Sequence, residues 1–143
     1  MGEPPAAYAG FLGTWVLIPE TCVYEQGPAP RAATYRIEED GPALRFTIAW
    51  TDAAGAAHQV VFAGRPDGIA APFAGGDLAD ALTVTLVSPR DLRTTASWRG
   101  HERMVAQRQL DARGAAMRVT QLVRFDDGTH VANVAVYRRH APS

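Results

Sequence analysis

Four polar residues interrupt the apolar faces of the last three strand-like segments of this 143-residue chain. They are Arg108, Gln121, Asn133 and Tyr137, and all four side chains can form directed hydrogen bonds. Because no acidic residue shares these faces, a buried Arg108 would lack a carboxylate partner there. A planar carboxylate matches the forked N–H groups of a guanidinium. The pattern therefore predicts a site for a small anionic or amphipathic molecule.

The four side chains converge if the segments form neighbouring strands, since residues two apart share a face. Tight hairpins place Asn133 opposite Val123. Gln121 then lies diagonally between Asn133 and Arg108, at about 7 Å. Two alternatives stay open. In one, a β-bulge rotates Arg108 outward, or its side chain extends to the barrel rim. In the other, Gln121 and Asn133 are structural hydrogen-bond partners of each other.

Strands account for the rest of the chain, because apolar and polar residues alternate throughout and helical spacing does not persist beyond two turns. About ten strands are predicted, around 14–20, 34–39, 44–50, 58–63, 69–73, 82–86, 92–98, 102–110, 115–125 and 130–138. The segment 74–81 is compatible with one helical turn capped by Asp77 and equally with a plain loop.

A sheet of about ten short antiparallel strands tends to close on itself, because closure removes exposed edges. We therefore predict an all-β fold, a single antiparallel up-and-down barrel with little helix. It forms one domain over 1–143, with flexible ends at 1–10 and 140–143. The apolar face of every strand points inward, so a polar residue on that face lies in the interior.

Short motifs at both ends of the chain carry a family resemblance. Phe11, Gly13 and Trp15 stand near the start, and Tyr137 and Arg138 stand near the end. With the ten-strand meander between them, they resemble the calycins, the superfamily of lipocalins and intracellular fatty-acid-binding proteins. The fatty-acid-binding type is the most similar. The resemblance implies a barrel that binds a small hydrophobic or amphipathic molecule, such as a fatty-acid-like carboxylate.

The resemblance also implies roles for individual residues. In fatty-acid-binding proteins, internal arginine and glutamine side chains and a closing tyrosine hold the ligand carboxylate, which assigns Arg108, Gln121 and Tyr137 here. The closing strand of that family usually carries a further arginine, where this chain has Ala135. An aromatic wall is expected from Phe46, Trp50, Phe62 and Trp98.

Closure of the barrel floor is a second implied feature. In the family, a tryptophan equivalent to Trp15, beside Gly13, closes the floor, often beneath an arginine of the last strand in a cation–π contact. Arg138 and Arg124 are the candidates for that arginine. The family also places two helices after its first strand as a lid, and the proline-rich segment 26–32 is too short for them.

Composition disfavours several partners and settings. The net charge of −1 gives no reason to expect nucleic acid or an anionic membrane as a partner. The single cysteine, Cys22, cannot form an intrachain disulfide, which favours a reducing compartment. Neither a secretion signal nor an apolar run of roughly 20 residues is recognised, so a cytoplasmic location is expected.

No motif in the chain indicates a reaction. The four histidines show no metal-ligand spacing, so we predict neither a metal site nor catalytic residues, and a binding protein is favoured over an enzyme. Three alternatives remain: a nitrobindin-type barrel holding haem through His130, another catalytic barrel, and a filled barrel acting as a structural or interaction domain. The oligomeric state is left open.

Overall fold

A computed structural model describes residues 6–73 and 79–140. A 3-10 turn, Ala9–Phe11, precedes ten strands. These are Gly13–Tyr24 (β1), Ala32–Asp40 (β2), Ala43–Thr51 (β3), Ala57–Gly64 (β4), Ala71–Pro72 (β5), Ala81–Ser88 (β6), Asp91–Trp98 (β7), His101–Leu110 (β8), Ala116–Arg124 (β9) and His130–Arg139 (β10). The predicted all-β antiparallel architecture is confirmed. The possible cap Asp77 and the extreme ends, 1–5 and 141–143, lie outside the described residues.

The strands form one sheet in the order β4-β3-β2-β1-β10-β9-β8-β7-β6-β5, so the first and last long strands pair in its middle. The sheet curls until β4 approaches β6. There a Cβ atom on Gly64 would lie only 2.8 Å from Cγ2 of Val84, so glycine permits the close approach. The N–H of Gly68 donates to the Val84 carbonyl at 2.9 Å, which helps to close the barrel. Among the described residues, no helix is both long and apolar enough to cross a membrane.

The hairpin between β7 and β8 shows how turns set the strand register. Arg99 and Gly100 both have positive φ, 50° and 82°, as a two-residue primed turn requires. The Asp80 carboxylate supports the turn by accepting the Arg99 backbone N–H at 3.1 and 3.2 Å. In the same hairpin the register shifts between Ala96 and Ser97 of β7, which leaves Arg103 as the extra residue of a β-bulge on β8.

The register between β9 and β10 differs from the expected one. Asn133 lies opposite Gln121, not opposite Val123. The last residue pair before the loop is Arg124 with His130, so each β10 residue pairs two positions earlier on β9 than a tight hairpin predicts. The Phe125 N–H donates to the Thr129 carbonyl at 2.9 Å and fixes the loop. Gln121 and Asn133 are therefore direct cross-strand neighbours.

One end of the barrel is packed solid. Its floor consists of side chains with 0% exposure: Phe11, Trp15, Ile37, Leu44, Leu92 and Met117. Exposure then rises along β3 from Leu44 to Trp50, which marks the direction of the open end. The barrel thus has a sealed floor and an accessible mouth.

Candidate functional site

An internal cavity of about 1200 Å³ lies above this floor. Its wall includes the aromatic side chains of Trp50, Phe62, Phe73 and Tyr24. Pockets for drug-sized ligands usually measure about 300–1,000 Å³ and are largely apolar, so this interior has room for a small molecule. The interior is not filled by side chains.

Arg108 occupies the inner end of the cavity. Its side chain projects from β8 toward the barrel interior, and the residue is 0% exposed. The guanidinium donates to the Tyr35 hydroxyl from Nε at 2.6 Å, and to Thr94 Oγ1 from Nη1 at 3.2 Å and Nη2 at 3.1 Å. A further bond runs from Nη1 to the Ala106 carbonyl at 3.3 Å. The outward-facing alternative for Arg108 is therefore excluded.

The charge of this guanidinium has only neutral surroundings in the described part of the chain. All of its hydrogen-bond acceptors there are uncharged oxygens. Its Cζ atom lies 4.6 Å from the Phe46 ring centroid and 5.3 Å from that of Tyr35, which are cation–π distances. An arginine side chain stays protonated inside proteins, so the inner end of the cavity carries a positive charge.

The remaining predicted polar residues also line the cavity, but their bonds differ. The Gln121 amide donates to Sδ of Met104 at 2.7 Å. Asn133 Oδ1 accepts the backbone N–H groups of Glu25 and Gln26 at 3.0 and 3.1 Å, so this side chain anchors the loop after β1. The alternative in which the Gln121 and Asn133 side chains form hydrogen bonds with each other is therefore wrong, since each has a different partner.

Tyr137 stands beside Arg108's partner Tyr35. The two rings meet edge to face, with centroids 5.6 Å apart. Burial raises the pKa of Tyr137 far above its usual value, and the nearby Tyr24 raises it further. Burial likewise raises the pKa of Tyr35, against a smaller lowering by Arg108. Both phenols therefore keep their protons at neutral pH and are available as hydrogen-bond donors.

Comparison with known proteins places this geometry in a fold class. The structure superposes on zebrafish ileal bile acid-binding protein complexed with cholic acid with a TM-score of 0.51, at 12% sequence identity, covering 92% of this chain and 99% of that one. The chain has the calycin fold. The siderocalin Ex-FABP, which functions through dual ligand specificities, aligns with a TM-score of 0.43 and 10% identity over 94% of this chain and 77% of that one. Neither a protein-family model nor a curated protein matches the sequence.

The floor of this calycin barrel is closed by an arginine that we did not predict. The Arg139 guanidinium lies 4.2 Å from the Trp15 ring centroid and donates to the carbonyls of Leu12 and Gly10 at 2.8 and 2.7 Å. The candidates Arg138 and Arg124 were wrong. Arg138 follows the inward-facing Tyr137, so alternation turns it outward.

Arg124 is also displaced from the floor. It ends β9 at the opposite side of the barrel, where it lines the mouth and approaches Glu102 at 3.4 Å. Gly13 stands in the floor at φ 122°, where a Cβ would lie 3.1 Å from the Arg139 guanidinium. Gly13 and Trp15 are thus both next to the arginine that closes the calycin barrel.

Two predicted wall residues do not line the cavity. Phe46 is 0% exposed and lies beneath the guanidinium of Arg108, with its ring stacked on Phe62 at 4.8 Å. Trp98 lies at the tip of the β7–β8 hairpin, past the register shift after Ala96, where the Arg99 guanidinium lies 5.2 Å from the centroid of its ring. Trp50 does face the cavity, and its ring stacks on His58.

Sequence reasoning missed three hydroxyl-bearing residues of the site: Tyr24, Tyr35 and Thr94. Thr94 was detectable, because it alternates with Leu92 and Ala96 on the inward face of its strand. Tyr24 was not, because an irregularity between Ile18 and Val23 in β1 changes the alternation. Alternation counted from the start of β1 therefore does not predict which face of the strand carries Tyr24.

The mouth of the cavity has no helical lid within the described residues. Pro28 and Pro30 of the loop after β1 border it, together with the salt-bridged pair Arg103 and Asp126. His130, the residue considered for haem ligation, is exposed and does not line the cavity.

Proposed function

We propose that this calycin barrel binds a small amphipathic acid of the fatty-acid type, with its anionic group at the inner end of the cavity and its apolar body toward the mouth. The observation that carries the proposal is the positive charge of Arg108, which is buried beside an unfilled cavity without a carboxylate from the described residues. Taking an ion out of water is unfavourable unless it is paired, and a bound anion supplies that pair.

The lining supports the same ligand chemistry. Trp50, Phe62 and Phe73 contribute an apolar aromatic wall to the cavity. The zebrafish protein that shares this fold holds cholic acid. We further propose a cytoplasmic setting, which is supported by the free thiol of Cys22.

Isothermal titration calorimetry with three twelve-carbon probes tests the proposal: dodecanoate, dodecanol and dodecylamine. We expect dodecanoate to bind most tightly. Arg108→Met removes the charge but keeps much of the side-chain volume, and it should weaken dodecanoate binding at least about tenfold, because the buried carboxylate then lacks a compensating positive charge.

Arg93→Met is the matched control, because it removes an exposed arginine of β7 that does not line the cavity. It should change the affinity by less than about threefold, since interactions of exposed charges contribute only about 0–1 kcal/mol. Absence of dodecanoate binding, or equal affinities in wild type and Arg108→Met, would contradict the proposed function.

A further inference from the structure

The hydrogen bonds of Arg108 dictate where two hydroxyl protons point. Thr94 Oγ1 accepts an N–H from each terminal nitrogen of the guanidinium. A hydroxyl oxygen has two lone pairs and one proton, so both acceptor sites of Thr94 are occupied. Its remaining hydrogen-bonding capacity is donation, and none of the described residues accepts that proton. Thr94 is only 5% exposed and lines the cavity.

Tyr35 is arranged in the same way. Its oxygen accepts the short bond from Arg108 Nε, so its own proton turns elsewhere. The described ranges, 6–73 and 79–140, offer this proton no acceptor. Tyr35 is 3% exposed and lines the cavity as well. Two buried O–H donors therefore share the inner end of the cavity with the guanidinium.

The guanidinium itself is poorly accessible. Four hydrogen bonds use four of its five N–H groups, and the rings of Phe46 and Tyr35 lie over it. A ligand can approach one free N–H at most without breaking these bonds. The accessible polar surface at the inner end is thus richer in hydroxyl protons than in guanidinium protons.

We infer that the hydroxyls of Tyr35 and Thr94 contact the anionic group of the ligand directly, while Arg108 lies behind them, orients their protons and supplies the positive charge. This inference rests on the proposed function and specifies the contacts that determine ligand choice. Such a site favours a group that only accepts hydrogen bonds, above all a deprotonated carboxylate. It disfavours an ammonium group, which offers only donors and a like charge.

Conservative substitutions at both hydroxyls test the inference by calorimetry with dodecanoate. Thr94→Val removes the hydroxyl at nearly constant shape and should weaken binding about tenfold, whereas Thr94→Ser keeps it and should stay within about threefold of wild type. Tyr35→Phe should also weaken binding about tenfold. Tyr8→Phe is the control, because it removes a phenol hydroxyl that lies outside the cavity lining and donates to Glu39 at 2.8 Å; its effect should be below about threefold.

A second readout separates ligand contact from a loss of structure. The ratio of dodecanoate to dodecanol affinity should fall in Thr94→Val and Tyr35→Phe, because the hydroxyls act on the head group and not on the chain. Melting temperatures identify any unfolded variant. If Thr94→Val does not fold, the comparison of Tyr35→Phe with Tyr8→Phe decides alone.

The two proposals fail in different ways. Wild-type protein that does not bind dodecanoate overturns the proposed function and this inference with it. If Arg108→Met loses binding while Tyr35→Phe and Thr94→Val retain both affinity and head-group preference, the guanidinium contacts the ligand itself, and only the present inference is overturned.

Discussion

Arg108 organises the inner end of the cavity, because its guanidinium is buried there and donates hydrogen bonds to Tyr35, Thr94 and the Ala106 carbonyl. Arg108 was detectable, because one charged residue interrupts a regular apolar alternation without an acid on the same face. Its partner Thr94 is a diagonal neighbour on the adjacent strand β7, whereas its partner Tyr35 comes from β2, across the barrel. Pairing across the barrel depends on curvature and strand tilt, which a pattern along one strand does not encode.

The closure of the floor gives a prediction for single residues. Arg139→Met should lower the free energy of unfolding by about 1–3 kcal/mol, because it removes the cation–π contact with Trp15 and hydrogen bonds to backbone carbonyls. Urea unfolding followed by tryptophan fluorescence measures the change.

The neighbouring arginine provides the control for this test. Arg138→Met alters an exposed, outward-facing side chain and should change stability by less than about 0.5 kcal/mol. Equal effects of the two substitutions would show that Arg139 does not close the floor.

At the scale of elements, the strand order follows from the sequence, whereas the irregularities within strands do not. Strand β1 continues past the predicted end near residue 20 to Tyr24, through an irregular stretch after Ile18. Thr21 stabilises that stretch: its hydroxyl donates to the Ile18 carbonyl at 2.6 Å and accepts the Val136 N–H at 2.8 Å. Pro19 lies in this stretch and has no N–H to donate, so the hydrogen-bond ladder is interrupted there, and Thr21 compensates for part of the loss.

Replacing this threonine tests the role of the irregularity. Thr21→Val leaves the Val136 N–H without its acceptor and should lower the free energy of unfolding by about 1–2 kcal/mol. Thr34→Val, on the exposed face of β2, should have an effect below about 0.5 kcal/mol. Hydrogen exchange of the Val136 amide, followed by NMR, should be faster than in wild type in Thr21→Val but not in Thr34→Val. Unchanged exchange there would contradict the assigned role of Thr21.

For the whole molecule, the buried phenols predict how stability depends on pH. The pKa values of Tyr35 and Tyr137 are raised in the folded protein, mainly by burial. Above about pH 10 an unfolded chain releases these protons while the folded chain retains them, so the free energy of unfolding falls as pH rises. Below that value the two states bind the same number of phenolic protons, and this contribution is constant.

Urea unfolding at pH 8 and pH 11 measures this effect. Wild-type protein should be less stable at the higher pH, and Tyr137→Phe should lose less stability between the two values because it removes one of the raised groups. An equal or larger loss in Tyr137→Phe would contradict the assigned burial of this phenol.

The central claim is that the barrel interior holds an amphipathic acid with its charged end beside Arg108, Tyr35 and Thr94. A crystal structure with 12-bromododecanoate tests this claim most directly, since the anomalous signal of bromine locates the end of the chain. We predict bromine near the mouth, close to Trp50, and the carboxylate within hydrogen-bond distance of the Tyr35 and Thr94 hydroxyls. Bromine at the inner end beside Arg108, or a ligand bound outside the barrel, would contradict the account.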